Sequence, residues 1–279
     1  LLIKLPTMRF LCAIVMILAV FVCNARALRV LAIGNSFSQD AIEQNLYELA
    51  AATGDTLIIG NAYIPGCQID LHLSNIRSDK AAYSYRKVVD GVKVKRDTTA
   101  LSMILSDEPW DVISLQQASH VSGKKHTYAN LPELKREVEA RMPNKDAEII
   151  WHMTWAYAGN SNHSGFKNYG NDQDVMNDSI LSAVCSEVPR NGISRIVPAG
   201  LAIQNAREVF GDTLNSDGYH LSLGLGRYVA ACTWYEFLTG KNVKGNPYHP
   251  GSISAEDAAK AQKAAHKAMK TDVCRRSKR

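Results

Sequence analysis

The sequence lacks several things that would have fixed its class at once. It has no apolar run long enough to cross a bilayer. The longest, Phe10 to Val22, has 13 residues against the roughly 20 that a spanning helix needs. It lacks a charge imbalance: 32 Lys and Arg stand against 27 Asp and Glu. Lys4, Arg9 and Arg26 precede Leu28, and Arg275, Arg276, Lys278 and Arg279 crowd the last five positions, which leaves 25 basic against 27 acidic residues between. A nucleic-acid binder needs basic residues gathered on a face, so no nucleic-acid partner is expected, and the tail 275–279 is expected to be a solvated end. Cysteine is scarce, at six residues, and none has zinc-site spacing. His120, His126, His152 and His163 also lack tight ligand spacing, so no metal or other cofactor is expected. There is no Gly-x-Ser-x-Gly elbow, Walker A loop or His-Glu-x-x-His, and no internal repeat or low-complexity linker.

The front of the chain reads as a targeting segment. Met8-Arg9 opens a basic start, the apolar run follows, and Ala25-Arg26-Ala27 has the small-x-small pattern of a signal-peptidase site. Residues 1–27 are therefore expected to be a signal peptide and 28–279 a single domain, secreted or periplasmic, with no stable membrane insertion after cleavage. Cys23 offers lipoprotein anchoring as an alternative, although Val22 before it is a poor lipobox residue. Cys67, Cys185, Cys232 and Cys274 remain after cleavage. They are either free buried thiols or paired, with three possible connectivities.

Beyond Leu28, short apolar runs alternate with helical periodicity. Strands are expected at Arg29–Ile33, Thr56–Asn61, Asp111–Leu115, Ala147–His152 and Ile193–Pro198. Helices are expected over 40–53, 97–106, 131–142, 173–188, 199–210, 223–239 and 254–270. Apolar strands without strict alternation, separated by helices, imply a parallel sheet covered on both faces. The expectation is an α/β fold: three layers, α/β/α, around a central parallel five-stranded sheet of flavodoxin-like type. Residues 82–96 instead alternate around Asp90-Gly91, a type I′ hairpin signal, and are expected to form a small β insertion on the rim.

Ligands of open parallel sheets bind beyond the carboxyl ends of the strands. Gly34-Asn35-Ser36 leaves the first strand, Pro65-Gly66-Cys67-Gln68 the second, Gln116-Gln117 the third and Met153-Thr154-Trp155-Ala156-Tyr157 the fourth; Asp217-Gly218-Tyr219-His220 comes late. A serine hydroxyl is a weak nucleophile until a base takes its proton. Histidine suits that role, and an aspartate on its other ring nitrogen fixes the tautomer. Ser36, His220 and Asp217 are the candidates for these three parts. The developing oxyanion needs donors, for which the backbone N–H groups of Ser36 and Gly66 and a side-chain amide of Gln117 or Gln116 are available. Either Ser36 or Ser38 also has the chemistry to cap the following helix, with Ser38 the better cap candidate. Trp155 and Tyr157, beside the polar loop 159–165, and Asn35 are candidate substrate contacts.

These segments resemble the SGNH (GDSL-like) hydrolase superfamily over roughly residues 29–240. The wording Gly34-Asn-Ser-Phe-Ser38, Leu115-Gln-Gln117, His152-Met-Thr-Trp-Ala-Tyr157 and Asp217-Gly-Tyr-His-Leu-Ser222 is similar to the DUF4886 group of secreted bacterial proteins within it. The resemblance implies Ser36 as nucleophile, Gly66 as oxyanion donor, His220 as base and Asp217 as its orienter. Two departures stand out. The usual Gly-Asp-Ser is Gly-Asn-Ser, and the usual Gly-x-Asn-Asp block is missing, with Gln116 or Gln117 at that strand end. The implied activity is hydrolysis of an O-acyl (acetyl) ester on a carbohydrate through a Ser-His-Asp acyl-enzyme, the partner being a small-molecule or polysaccharide ester. The alternatives are an inactive carbohydrate-binding protein on the same scaffold and a lipid esterase. A methyl-ester variant acting on uronic acids would want a cation in the pocket, from Arg77, Arg86 or Arg195.

Overall fold

A computed structural model of the chain describes residues 26–276. The expected signal peptide, apart from Arg26 and Ala27, and the tail end 277–279 lie outside the described residues.

The strand β1 (Leu28–Gly34) is buried on both faces over its last five residues, as an unbroken apolar run demands at the centre of a sheet. It pairs in parallel with β2 (Leu57–Tyr63) on one side and β5 (Val112–Leu115) on the other. Further parallel pairs add β6 (Glu148–His152) and β7 (Ile196–Val197). These are the five strands expected from the sequence. The sheet nonetheless has seven, in the order β4-β3-β2-β1-β5-β6-β7. The hairpin of β3 (Tyr83–Val89) and β4 (Val92–Thr99) is no rim insertion: β3 pairs antiparallel with β2, with Ile59 opposite Val88, and extends the main sheet. Its turn has both central residues at positive φ, Asp90 at 50° and Gly91 at 74°, as a type I′ turn requires.

The helices are α1 (Ser36–Ile42), α2 (Leu46–Ala51), α3 (Ile69–Arg77), α4 (Leu101–Asp107), α5 (Leu131–Arg141), α6 (Gln173–Arg190), α7 (Ala199–Phe210), α8 (Leu225–Thr239), α9 (Ala255–Lys270) and α10 (Val273–Arg276). They flank the sheet in two groups. α1, α2, α7 and α9 gather on α8 or on one another, while α3, α4 and α5 pack together and α6 carries α10. The helix expected over 40–53 is two helices. It starts earlier because the Asn35 side chain accepts the Phe37 N–H at 3.0 Å, a cap that satisfies one orphan donor. It breaks where Asn45 turns left-handed at φ 66°. α3 was not expected, although Ile69, Leu73 and Ile76, spaced as one helical stripe, are all buried. All four tryptophans, Trp110, Trp151, Trp155 and Trp234, lie fully inside the core. A disulfide joins Cys185 of α6 to Cys274 of α10, while Cys67 and Cys232 are free and buried.

Candidate active site

The chain leaves β1 through Gly34, where any side chain would collide: a Cβ there would lie 2.6 Å from both Gln116 Oε1 and Ser38 Oγ. Asn35 follows and joins three strand ends. Its Oδ1 caps α1 and accepts Gln116 Nε2 at 2.8 Å, and its Nδ2 donates to Cys67 O at 3.1 Å. Asn35 is therefore a buried brace and not the substrate contact expected from the sequence. Ser38 is not the cap either. Its hydroxyl lies 2.8 Å from Asn35 O and 2.9 Å from Asn61 Oδ1, beneath the turn. Ser36, the first residue of α1, is partly exposed. Among the described residues its hydroxyl has no hydrogen-bond partner. A contact with an activating base is thus not made in this conformation, as is common before substrate arrives.

Asp217 and His220 form a tight unit. Asp217 Oδ2 lies 2.7 Å from His220 Nδ1, and Oδ1 accepts the N–H groups of Tyr219 at 3.1 Å and His220 at 2.8 Å. The three-residue spacing lets one carboxylate hold both its own turn and the imidazole. Gly218 supplies the left-handed corner at φ 86°, a conformation glycine adopts without a Cβ penalty. Partial burial works against the Asp217 charge, but the His220 and Tyr219 N–H groups and the His220 ring outweigh it and hold the carboxyl below its ordinary pKa. A carboxylate on Nδ1 keeps the proton there and leaves Nε2 as the basic nitrogen.

Two tethers bring this turn to α1. Asp40, one helical turn beyond Ser36, accepts the Leu221 N–H at 2.7 Å and pairs with Arg227 at 2.7 Å. Phe37 stacks on Trp155 with ring centroids 4.2 Å apart, and Trp155 Nε1 donates to Tyr219 O at 2.8 Å. The Phe37 ring centre lies 6.5 Å from that of His220. Behind the turn, the buried Arg207 guanidinium reaches Ala156 O at 2.8 Å, Asn215 Oδ1 at 3.0 Å and Asp212 at 3.0 Å. Asp40, Arg207 and Arg227 were missed in the sequence. The available signal was a charge on an otherwise apolar helix face, which a buried ion pair explains.

Trp155 and Tyr157, expected as substrate contacts, have no exposed surface to offer a ligand in this conformation. Both are fully buried, Trp155 in the tether just described and Tyr157 with its hydroxyl 2.9 Å from Ser119 Oγ. The partly exposed rings are instead Tyr219, His163 and His120. Centroid distances of 4.1 Å from His220 to Tyr219, 4.6 Å from Tyr219 to His163 and 6.4 Å from His163 to His120 make them a continuous string. Burial pushes both His120 and His163 below the ordinary histidine pKa, with neighbouring His120 and His220 adding to the effect at His163. Next to Asp217 and Gly218 lies a cavity of about 270 Å³ lined by Asn160, Asn162, Asp212, Asn215 and Ser216.

The oxyanion donors separate into two groups. Gly66 sits at φ 59° on the exposed turn after β2. Both glutamines expected to assist it are committed to the scaffold. Gln116 is buried and donates to Asn35. Gln117 accepts the N–H groups of Ile69 at 3.2 Å and Ala118 at 2.8 Å, and donates to Thr127 O at 2.8 Å. The three arginines considered for a uronate carboxylate are also occupied: Arg77 by Glu133 and Glu137, Arg86 by Glu43, and Arg195 by Glu148.

Residues 29–268 match the family described as "Domain of unknown function (DUF4886)". The crystal structure of a DUF4886 family protein from Bacteroides uniformis ATCC 8492 is 51% identical, with 87% of this chain and 95% of that chain covered and a TM-score of 0.85. A candidate SGNH hydrolase from Slackia heliotrinireducens is 20% identical over 76% of this chain and 99% of that one, with a TM-score of 0.50, and shares the fold. A search of the curated proteins found no match. The chain therefore belongs to the DUF4886 family, built on the α/β fold of the SGNH hydrolases.

Proposed function

We propose that this protein is an exported serine esterase that removes an O-acyl group, acetyl above all, from a carbohydrate. The observation that carries the reading is the 2.7 Å Asp217–His220 pair, held by Asp40 and Trp155 to the helix that Ser36 begins. In the proposed reaction His220 Nε2 takes the Ser36 hydroxyl proton as Oγ attacks the ester carbonyl. The carbonyl oxygen becomes an oxyanion facing backbone N–H groups of Ser36 and Gly66. Collapse expels the sugar alkoxide, which leaves with the proton held by His220, and Ser36 keeps the acyl group. Water, deprotonated by His220, then adds to the acyl carbonyl and frees Ser36 and the carboxylic acid. The disulfide supports export, since such bonds persist in oxidising compartments.

A covalent probe tests the mechanism. A fluorophosphonate, which loses fluoride to an activated serine, is expected to leave one adduct on the peptide containing Ser36. An unlabelled protein, or a label on another serine, would sink the mechanism.

The amide-lined cavity beside Asp217 supports a polyhydroxylated substrate. Asn160 and Asn162 are exposed and donate and accept as sugar hydroxyls require. Asn160→Ala with Asn162→Ala is expected to raise KM for acetylated xylo-oligosaccharides about 10-fold, the loss of one or two hydrogen bonds, and to leave p-nitrophenyl acetate kinetics unchanged. Equal effects on both substrates would remove the cavity from the sugar path.

A further inference from the structure

Gln116 is buried against Asn35 and Gln117 Nε2 is taken up by Thr127, so a side-chain donor that joins the Ser36 and Gly66 N–H groups at the oxyanion has to come from another segment. The geometry points to Gln68 as that donor, with His120 as its positioning residue. The assignment rests on the esterase reading above.

Gln68 stands two residues beyond Gly66, on the same turn after β2. The residue between them, Cys67, gives its carbonyl to Asn35 Nδ2, and Asn35 immediately precedes Ser36. On the other side of Gln68, Ile69 N is fixed by Gln117 Oε1. The Gln68 backbone is thereby clamped between two groups of the serine-bearing scaffold. The buried Gln117 thus holds the donor's segment and is not itself the donor.

The Gln68 side chain is also free of the duty its position offers. It is the N-cap residue of α3, yet it makes no side-chain cap bond. Among the described residues its side-chain partner is His120, with Gln68 Nε2 lying 3.3 Å from His120 Nε2.

Counting protons sets the state of that contact. An amide NH2 carries two donors and no acceptor, so a hydrogen bond between these two nitrogens requires a lone pair on His120 Nε2. His120 must then be neutral with its proton on Nδ1. The depressed pKa that burial gives His120 favours that neutral form. One Gln68 amide proton is used on the imidazole, which sets the plane and direction of the amide, and the second is left for a ligand oxygen.

The backbone that carries the imidazole is itself held. His120 comes from the loop leaving β5, and Asn168 Nδ2 holds its carbonyl at 2.9 Å. Gly165 presses so close that a Cβ there would fall 2.3 Å from His120 Cβ. Oxyanion donors act by being in place before charge develops, so that no reorganisation is needed in the transition state. Backbones held on both sides, at Cys67 and Ile69 around Gln68 and at His120, favour that property in the long glutamine side chain. The missing Gly-x-Asn-Asp block is then compensated from two strand ends: the amide comes from the loop after β2 and its orienting ring from the loop after β5.

The decisive experiment compares the wild type, Gln68→Ala and Gln68→Glu on p-nitrophenyl acetate, with thermal melts and imidazole nitrogen NMR alongside. Gln68→Ala is expected to lower kcat about 10²–10³-fold with KM changed less than about 3-fold, the pattern for one lost oxyanion donor. Gln68→Glu matches the native shape and carries the test if the alanine variant fails to fold. It removes the donor and adds a charge, so kcat should fall at least as far. His120 should appear as the Nδ1–H tautomer in the wild type and lose that bias in Gln68→Ala. Two results would overturn the assignment alone: a folded Gln68→Ala with wild-type kcat, or a wild-type His120 protonated on Nε2. A wild type with neither turnover nor a Ser36 adduct would overturn the esterase reading and this assignment with it.

Discussion

Asp217→Asn is expected to lower kcat on p-nitrophenyl acetate about 10⁴-fold while the protein melts close to the wild-type temperature. The turn itself dictates the size of the effect. One carboxylate oxygen accepts two backbone N–H groups, and the other accepts the His220 ring. An asparagine has a single acceptor oxygen. To keep the turn, it must aim that oxygen at the Tyr219 and His220 N–H groups, which puts its NH2 against His220 Nδ1. Nδ1 must then offer its lone pair, and the ring proton moves to Nε2, where the base is needed. The site stays assembled in the wrong tautomer, a loss of about four orders of magnitude in serine proteases. Ser36→Ala and His220→Ala should be at least as inactive. Steady-state kinetics with active-site titration is the measurement, and an Asp217→Asn variant within 10-fold of the wild type would mean that the Asp217 carboxylate does not set the working tautomer of His220.

The second large effect concerns stability. Asp40→Ala is expected to cost about 3 kcal/mol or more in urea denaturation at pH 7. It strips the partner from the nearly buried Arg227 and orphans the Leu221 N–H, and a buried charge left alone is costly. Asp40→Asn keeps an acceptor for Leu221 and should cost less. The ion pair does not make Asp40 a strong acid. Burial is the largest influence and raises its pKa from the ordinary 3.8 to about 6, against the pull of Arg227, the Leu221 N–H and His220 and with a smaller push from Asp217. The folded state thus binds this proton more tightly than the unfolded chain. Its contribution to stability is greatest below about pH 4, declines as pH rises to about 6 and is level above, a change of at most about 3 kcal/mol. Asp40→Asn should remove that slope from denaturation curves between pH 4 and 7. An unchanged slope would assign it to another group.

The parallel core was legible because its strands announce themselves locally. Within Arg29–Ile33 and Ala147–His152, residues 30–33 and 149–151 are apolar without alternation, and a strand buries such a run only in a sheet covered on both faces. The hairpin was legible as a hairpin from Asp90-Gly91, but its attachment was not. Pairing Ile59 with Val88 is a contact between segments far apart in sequence, and nothing within 82–96 specifies which edge they join. The helix break at Asn45 was hidden because a single left-handed residue is a local backbone choice that apolar periodicity does not report. At the site, the Asp217-x-x-His220 spacing could be read directly, since the hydrogen bonds it makes are local. The roles of Gln116, Gln117, Trp155 and Tyr157 could not. Glutamine and aromatic side chains serve a ligand or the scaffold with the same groups, and only their partners across the sheet, Asn35, Ile69, Thr127 and Ser119, decide which.

The Cys185–Cys274 bond closes a covalent ring of chain 89 residues in span. That ring contains Asp217, His220, Arg207 and Arg227, while Ser36, Gly66 and Gln68 lie outside it. In the intact oxidised chain the segment bearing the histidine is thus fastened at both ends. A protease cutting the exposed stretch near Lys241 would open the ring yet leave its two fragments joined through sulfur, and in denaturant they would part only after reduction.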